Sequence, residues 1–395
     1  MKPTDIANPD YFHKVVDCQW ACPAHTPVPE YIRLIAHGRY SDAYMINWKS
    51  NVFPGILGRT CDRPCEPACR RSRVEDETLV KGKKEPVAIC RLKRVAADYK
   101  DEDIKARMPK APKKNGKRVA CIGGGPASLT VARDLAVLGY EIVIYDQDPK
   151  LGGFIRTQIP HFRLPESVID EEVGFITGIG NIEFRHEKVD SMKAVLAEGY
   201  DAVFVGSGAP RGRDLDVPGR KEAAANIHIG LDWLSSVSFG HTTKVGKRVI
   251  VLGGGNTAMD CCRSSRRLGG KDIKVMARRP RQFFKASPWE LEDAEEEQVE
   301  IIINHAPKRF VLENGKLVGM EFDVLEWTEK DGKATSKVAK TITIPCDSVI
   351  LAIGQDNAFE WIERDIGMEF DKKWDMPVVD KATHQSTLKN VSILR

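Results

Sequence analysis

Two glycine-rich turns carry the clearest chemistry in this sequence: Gly123-Gly124-Gly125-Pro126-Ala127-Ser128 and Gly253-Gly254-Gly255-Asn256-Thr257-Ala258. Each follows an apolar strand-like run and opens a helix-like run. In that setting, backbone N–H groups and the peptide dipole at a helix N-terminus hold a pyrophosphate. A side chain on the turn would block the approach, so the chemistry asks for glycine. One such turn is a weak signal, because a strand-to-helix turn without a ligand has the same pattern. Two in series predict two bound dinucleotides.

The residues beyond the turns differ. In the first copy Arg118 to Ile122 is the strand and Leu129 to Leu138 the helix. The next strand, Glu141 to Tyr145, ends at Asp146, an acid about 20 residues from the turn that suits a ribose diol. Ser128 replaces the third glycine and is small enough for close helix packing. In the second copy Arg248 to Leu252 is the strand and Ala258 closes the turn. The following strand, Asp272 to Met276, runs into Ala277-Arg278-Arg279. No acid stands there for a ribose hydroxyl, whereas paired guanidiniums suit a 2′-phosphate. This favours NADP(H), with NAD(H) and a merely solvated basic loop as the alternatives.

The elements that must position these groups alternate in type. From 118 to 216 strand and helix alternate up to a return strand at Asp201 to Val205, followed by Gly206-Ser207-Gly208. A second α/β unit spans 217–350, with a charged helix at Trp289 to Gln298 and a hairpin around Asn314-Gly315. Its last strand, Ser348 to Ala352, ends in Ile353-Gly354-Gln355, which matches the ending at Gly208. The paired endings predict a nucleotide domain inserted into another, with 351–395 as the return segment. Residues 1–99 read as a helical, cysteine-rich domain with helices at Val28 to His37, Tyr40 to Trp48 and Val87 to Tyr99. Residues 100–117, charged and carrying Pro109 and Pro112, read as an exposed linker.

The 395 residues suffice for two or three domains, and 42% hydrophobic with 29% charged residues is a globular composition. A net charge of +4 implies no nucleic-acid partner. No stretch approaches the roughly 18 apolar residues of a membrane span, and Met1-Lys2-Pro3-Thr4-Asp5 lacks a signal-peptide core, so a cytoplasmic protein is expected. Ten cysteines in that setting indicate metal or redox use, and six of them fall in the first hundred residues. Cys261 and Cys262 are adjacent on the helix after the second turn and read as structural. No Cys-x-x-Cys pair stands beside either turn, which argues against a disulfide-reductase mechanism.

The order of these features resembles the small subunit of glutamate synthase and the related flavin and iron–sulphur electron-input subunits. The resemblance rests on Cys18-x3-Cys22-Pro23, Gly58-Arg59-Thr60-Cys61-x3-Cys65-Glu66-x2-Cys69, Pro86-Val87-Ala88-Ile89, the first turn, Leu151-Gly152-Gly153, Ile159-Pro160, and the second turn through Met259-Asp260. It implies an α/β fold: a helical, ferredoxin-like cysteine-rich domain, then two Rossmann-like domains, the NAD(P) domain inserted into the FAD domain. It implies FAD on Gly123, Gly125, Pro126, Ala127 and Ser128, with its ribose at Asp146 and with Gly152, Gly153, Ile159, Gly208 and Gly354 beside it. NADP(H) or NAD(H) would lie on Gly253, Gly255, Asn256, Thr257 and Ala258, near Arg278 and Arg279. No catalytic side chain is named by it.

Two departures from the family stand out. Members with two 4Fe-4S clusters begin with a cysteine pair whose slots hold Asp10 and His13 here, leaving Cys18 and Cys69 of the first ligand set. For the second cluster the resemblance implies Cys22, Cys61 and Cys65. The family's helical fourth ligand falls on Lys93, whose ammonium cannot bind iron, and Cys90, one turn earlier, is the substitute. One 4Fe-4S cluster and none both remain open, with two clusters and tetrahedral zinc on the same thiolates as further alternatives. After Asn390-Val391 the family continues into a Phe-Ala-x-Gly-Asp segment on FAD. This chain reads Ser392-Ile393-Leu394-Arg395, and the expectation is a sequence that stops short of the segment.

The expected function is that of an NAD(P)H-dependent flavoprotein subunit passing electrons between NAD(P)H, FAD and a partner subunit carrying iron–sulphur clusters, in a hetero-oligomer. One alternative is the flavin subunit of a tungsten-dependent aldehyde oxidoreductase that reduces NAD(P). The other is a non-catalytic docking subunit that keeps the nucleotide folds only as scaffold.

Overall fold

The computed structural model describes residues 16–73, 85–330 and 333–394, so Asp10 and His13 lie outside the described residues. The chain forms two compact units. One comprises residues 1–116, 129–141 and 162–183, and the other comprises 117–128, 142–161 and 184–395.

The first unit is helical. After the short α1 (Asp17–Ala21) come α2 (Val28–Ala36), α3 (Tyr40–Asn51), α4 (Pro54–Thr60) and α5 (Ile89–Asp98). Helix α2 buries Val28, Tyr31 and Leu34, residues three apart that share one face. Proline at its first position starts α4, where the missing N–H costs nothing. Val28, Tyr31, Leu34, Cys65, Cys69 and Ile89 pack in one core. Gly58 lets α4 meet α5: a Cβ there would stand 2.7 Å from Arg94 Cα. Segments 129–141 and 162–183 add most of α6 (Pro126–Ala136) and, beyond the short α7 (Phe154–Thr157) of the other unit, α8 (Glu166–Thr177). Two side chains of the stretch read as an exposed linker, Ile104 and Met108, are instead buried, packed with Tyr44, Trp48 and Phe175. The charges around them mask two apolar residues spaced to face one way.

The second unit holds two five-stranded sheets. Strands β1 (Arg118–Ile122), β2 (Glu141–Asp146), β3 (Ile182–His186) and β4 (Ala202–Val205) form the first sheet, with β4 pairing parallel to β1. After β4 the chain passes through the ribbon strand β5 (Arg211–Gly212) into the second sheet: β6 (Ile227–Ile229), β7 (Arg248–Leu252), β8 (Asp272–Met276) and β9 (Glu300–Ile302). A three-stranded antiparallel sheet follows: β10 (His305–Glu313), β11 (Lys316–Lys330) and β12 (Lys333–Pro345). Asn314 and Gly315, both at positive φ, make the hairpin turn the sequence predicts. Then β13 (Ser348–Leu351) pairs parallel with β6 and β7, β14 (Gln355–Asp356) pairs with β5, and β15 (Val391–Ile393) returns to pair with β4. The orders are β15-β4-β1-β2-β3 and β6-β13-β7-β8-β9. The second sheet is thus an insertion between β4 and β15 of the first, as the paired glycine endings predict.

Both strands that lead into the turns are buried on both faces, the usual state of a central parallel strand. The helices begin earlier than predicted. Helix α6 starts at Pro126, three residues before Leu129, and the charged helix α12 (Pro288–Glu296) starts one residue before Trp289. It is preceded by α9 (Met192–Ala197), α10 (Gly230–Ser238) and α11 (Asn256–Arg267). A proline supplies helical φ at the first position, which hydrophobic periodicity does not register.

Candidate functional site

At the first turn the backbone of four segments converges. Gly123 has φ +96°, and a Cβ there would stand 2.7 Å from Gly206 O, so the turn abuts the end of β4. Gly123 N donates to Tyr145 O at 2.8 Å, and Gly124 N donates to Asp146 Oδ2. Asp146 Oδ1 accepts from Asp148 N at 2.8 Å, which fixes the carboxylate at the lip of the turn. Gly152 N donates to Gly124 O at 2.9 Å, and a Cβ on Gly153 would stand 2.8 Å from Gly125 Cα. Ser128 Oγ and Ser207 Oγ are buried there without a hydrogen-bond partner. Orphaned hydroxyls and a side-chain-free cradle fit a phosphate-bearing ligand. Pro126 and Ala127 open α6, and Gly208, at φ +65°, faces open space. Ile159 lies past α7, its N–H on Phe154 O, outside the hydrogen bonds of the turn.

The second turn repeats the arrangement. Gly253, at φ +146°, would place a Cβ 2.3 Å from Ala352 O, at the end of β13. Two residues on, Gly354 accepts from Arg213 N at 3.0 Å, which ties the return segment to the chain leaving β4. Gly255 precedes α11 with open space before it, Thr257 lies in the first turn of α11, and Ala258 is buried. Asn256 is already engaged: its Oδ1 accepts from Ser287 N at 2.9 Å. Arg278 and Arg279 follow β8, both exposed, and among the described residues neither guanidinium has an ion pair. Arg263, Arg267 and Arg281 nearby are all paired to carboxylates. Sequence reasoning missed the segment 280–287. Lys285 N and Ala286 N donate to Gly254 O at 2.9 and 3.1 Å, and the Phe284 ring lies 3.1 Å from where a Gly254 Cβ would stand.

In the helical unit the thiols gather around the junction of α4 and α5. Cys61 is the C-cap of α4, and Cys90 lies in the first turn of α5. The Cys90 thiol donates to Leu57 O at 3.3 Å, and its nearness, with the Lys93 ammonium and a bond from Arg63 N at 3.3 Å, holds the Cys61 thiol below its ordinary value. The same nearness and burial push Cys90 up, and burial pushes Cys65 up to about 12. Cys65 lies within electrostatic reach of Cys61 and Cys22, and the fully buried Tyr31 within reach of Cys18, Cys22, Cys65 and Cys90. Cys18 and Cys69 act on each other. Lys93, expected only as a failed ligand, is buried and lends positive charge to Cys61, Cys65 and Cys90. Four thiols beside a buried cation suit an iron–sulphur cluster in donor chemistry. Among the described residues no three His, Cys, Asp or Glu groups are placed to hold a metal ion, so the thiols are gathered but not closed.

The family model for pyridine nucleotide-disulphide oxidoreductases matches residues 117–394, and that for dihydropyrimidine dehydrogenase domain II, 4Fe-4S cluster, matches residues 12–104. The glutamate synthase [NADPH] small chain of Azospirillum brasilense is 32% identical over 403 residues, covering 95% of this chain and 80% of the relative. The chain belongs to the pyridine nucleotide-disulphide oxidoreductase family. Membership implies FAD and NAD(P)H as cofactors, and the second match is to a 4Fe-4S domain. The NADPH-Fe(3+) oxidoreductase subunit beta of Geobacter sulfurreducens is 33% identical over 385 residues, covering 93% of this chain. This family member spans 56% of that relative's length. FprA from Mycobacterium tuberculosis shares the fold, with a TM-score of 0.58, 17% identity, and coverage of 71% of this chain and 78% of its own. Relatives named as subunits or as a small chain belong to enzymes of several chains. Among the described residues no helix is long and apolar enough to cross a membrane.

Proposed function

We propose that this chain is the electron-input flavoprotein of a larger oxidoreductase, taking electrons from NADPH and delivering them to a partner subunit that carries iron–sulphur clusters. The first turn, with Gly123, Gly125, Ser128, Asp146, Gly152 and Gly153, holds the pyrophosphate and ribose of FAD. The second, with Gly253, Gly255, Thr257 and Ala258, holds the nicotinamide dinucleotide. When bound, the flavin accepts two electrons together and releases them singly, which suits a junction between a nicotinamide and iron–sulphur centres. The chain's own contribution is placement: each turn supplies N–H donors at a helix start, and the strand ending Gly208 leaves room beside the first. Cys22, Cys61, Cys65 and Cys90 are the ligand set for one 4Fe-4S cluster in the helical unit.

The observation that carries NADPH over NADH is the pair of guanidiniums Arg278 and Arg279 at the end of β8, which have no ion pair among the described residues. Each charged hydrogen bond to a 2′-phosphate contributes about 1.5 kcal/mol or more, so removing them costs at least roughly tenfold in affinity. The test is anaerobic flavin bleaching by each dinucleotide in the parent protein and in an Arg278→Ala/Arg279→Ala variant. NADPH should bleach the parent at lower concentration than NADH, and the variant should lose that preference. A parent protein that binds no flavin, or that NADH reduces preferentially, would overturn the reading. Iron and sulphide content unchanged in Cys61→Ser would remove the cluster assignment.

A further inference from the structure

Beyond the second turn lies a cavity of about 470 Å³ lined by Phe283, Trp327, Asn304, Gln282, Glu326 and Thr328, a size within the roughly 300–1,000 Å³ range of small-molecule pockets. We propose that it receives the adenine of the nicotinamide dinucleotide, with Trp327 as the stacking surface. The proposal rests on the reading that this dinucleotide occupies the second turn.

The structure connects the cavity to that turn step by step. Segment 280–287 is fastened to the turn by the two bonds to Gly254 O and by Ser287 N on Asn256 Oδ1, so Phe283 is held at a set place relative to the pyrophosphate position. Its ring lies 6.3 Å from that of Trp327, inclined at 37°, forming an aromatic corner rather than a closed stack. Trp327 Nε1 donates to Arg278 O at 3.3 Å, and the Arg279 guanidinium lies 5.8 Å from the Phe283 ring centre. The groups suited to a 2′-phosphate and the aromatic corner are therefore successive parts of one surface. Adenine follows its ribose directly, so the corner is the next surface the ligand meets.

The lining suits a purine. A flat π face stacks on indole or phenyl, and the purine edge needs polar partners. Asn304 Oδ1 is buried at the lining without a hydrogen-bond partner, an acceptor of the kind an exocyclic amine satisfies. Its backbone is fixed, because Asn304 O accepts from Leu325 N at 2.7 Å. Trp327 stands on β11, paired with Ser336 of β12, and its bond to Arg278 O brings the hairpin to the end of β8. The adenine contact then governs affinity for the dinucleotide and leaves the nicotinamide end untouched.

The test uses the full chain with three probes: adenosine 2′,5′-bisphosphate, NADPH, and reduced nicotinamide mononucleotide, which has no adenine. Trp327→Ala should weaken binding of the first two by about tenfold and leave flavin reduction by the third unchanged. Trp327→Phe, which keeps an aromatic face, should recover most of the loss. Unaltered binding of the bisphosphate to Trp327→Ala would overturn the proposal, as would an equal loss with the mononucleotide. The underlying reading fails separately, if the parent protein binds neither the bisphosphate nor NADPH.

Discussion

Substituting Glu172 tests how the helical unit holds its thiols. Glu172 is 1% exposed, and its carboxylate receives three donors: Tyr44 OH at 2.9 Å and Gly55 N at 2.7 Å on Oε1, and Ile56 N at 3.0 Å on Oε2. It thereby fixes the start of α4, the helix whose far end presents Cys61. Burial pushes its pKa from the ordinary 4.5 up to about 7, against the pull of the three donors. Because the folded value is raised, the contribution of Glu172 to stability is fully present below 4.5 and is lost as pH rises to 7. At about 1.4 kcal/mol per pH unit the loss approaches 3 kcal/mol. Hydrogen exchange of the Gly55 and Ile56 amides, corrected for intrinsic rates and referenced to β7, reads it directly. Protection should fall between pH 5 and pH 7.5. Glu172→Gln, which turns an NH2 group toward one of the donors, should cost about 1–3 kcal/mol at every pH and flatten the profile. Parent protection that rises with pH, or a variant that keeps the parent's slope, would refute the reasoning.

Four further outcomes are expected. Gly253→Ala meets Ala352 O at 2.3 Å and strains φ +146°, so about 1–3 kcal/mol of strain should weaken NADPH binding while the purified protein keeps its flavin. Gly123→Ala should instead lower flavin content, read by visible absorbance. Arg263 is buried among Glu290, Asp293 and Glu297 at 3.1, 3.0 and 2.9 Å, so Arg263→Met withdraws that guanidinium from the buried Glu290 and should cost about 3–5 kcal/mol in thermal unfolding. In iron-free protein, alkylation mapped by mass spectrometry should reach Cys61, which the neighbouring Cys90 thiol and the Lys93 ammonium hold below its ordinary value, well before Cys121 and Cys346, each pushed up to about 12 by burial. The reverse order would show that Cys61 is not the lowered thiol.

Most of the nucleotide-binding architecture was legible because its signals are local. Glycine at 123 and 253, the apolar strands before them, and the matched endings at Gly208 and Gly354 are each short motifs. Their sheet partners follow from the right-handed βαβ crossover that parallel strands require. What escaped were features made by distant segments meeting. Phe284 against Gly254 and Trp327 beside Arg278 join residues far apart in sequence, and neither aromatic differs in local pattern from a core residue. For Lys93 the sequence alone shows only that an ammonium cannot ligate iron. Its burial beside three thiols depends on the α4–α5 packing at Gly58, which periodicity does not reveal.

The family's name includes disulphide chemistry, yet the ionisation of this chain's thiols points elsewhere. Exchange requires a thiolate that can reach its target. In the nucleotide-binding unit burial works against that state. Cys121 lies inside β1 and Cys346 just before β13, both pushed up to about 12, and Cys262 on α11 is pushed to the same value with its neighbour Cys261 also raised. Each of the four is fully buried, Cys261 and Cys262 packing in the core of the second sheet. The one thiol held below its ordinary value is Cys61, in the helical unit, where a neighbouring thiol and a buried ammonium favour the charged form. Burial pushes Cys65 and Cys90 beside it up, so the lowering is confined to Cys61, whereas burial raises all four thiols of the nucleotide-binding unit. That distribution argues against thiol–disulphide exchange beside the two glycine turns.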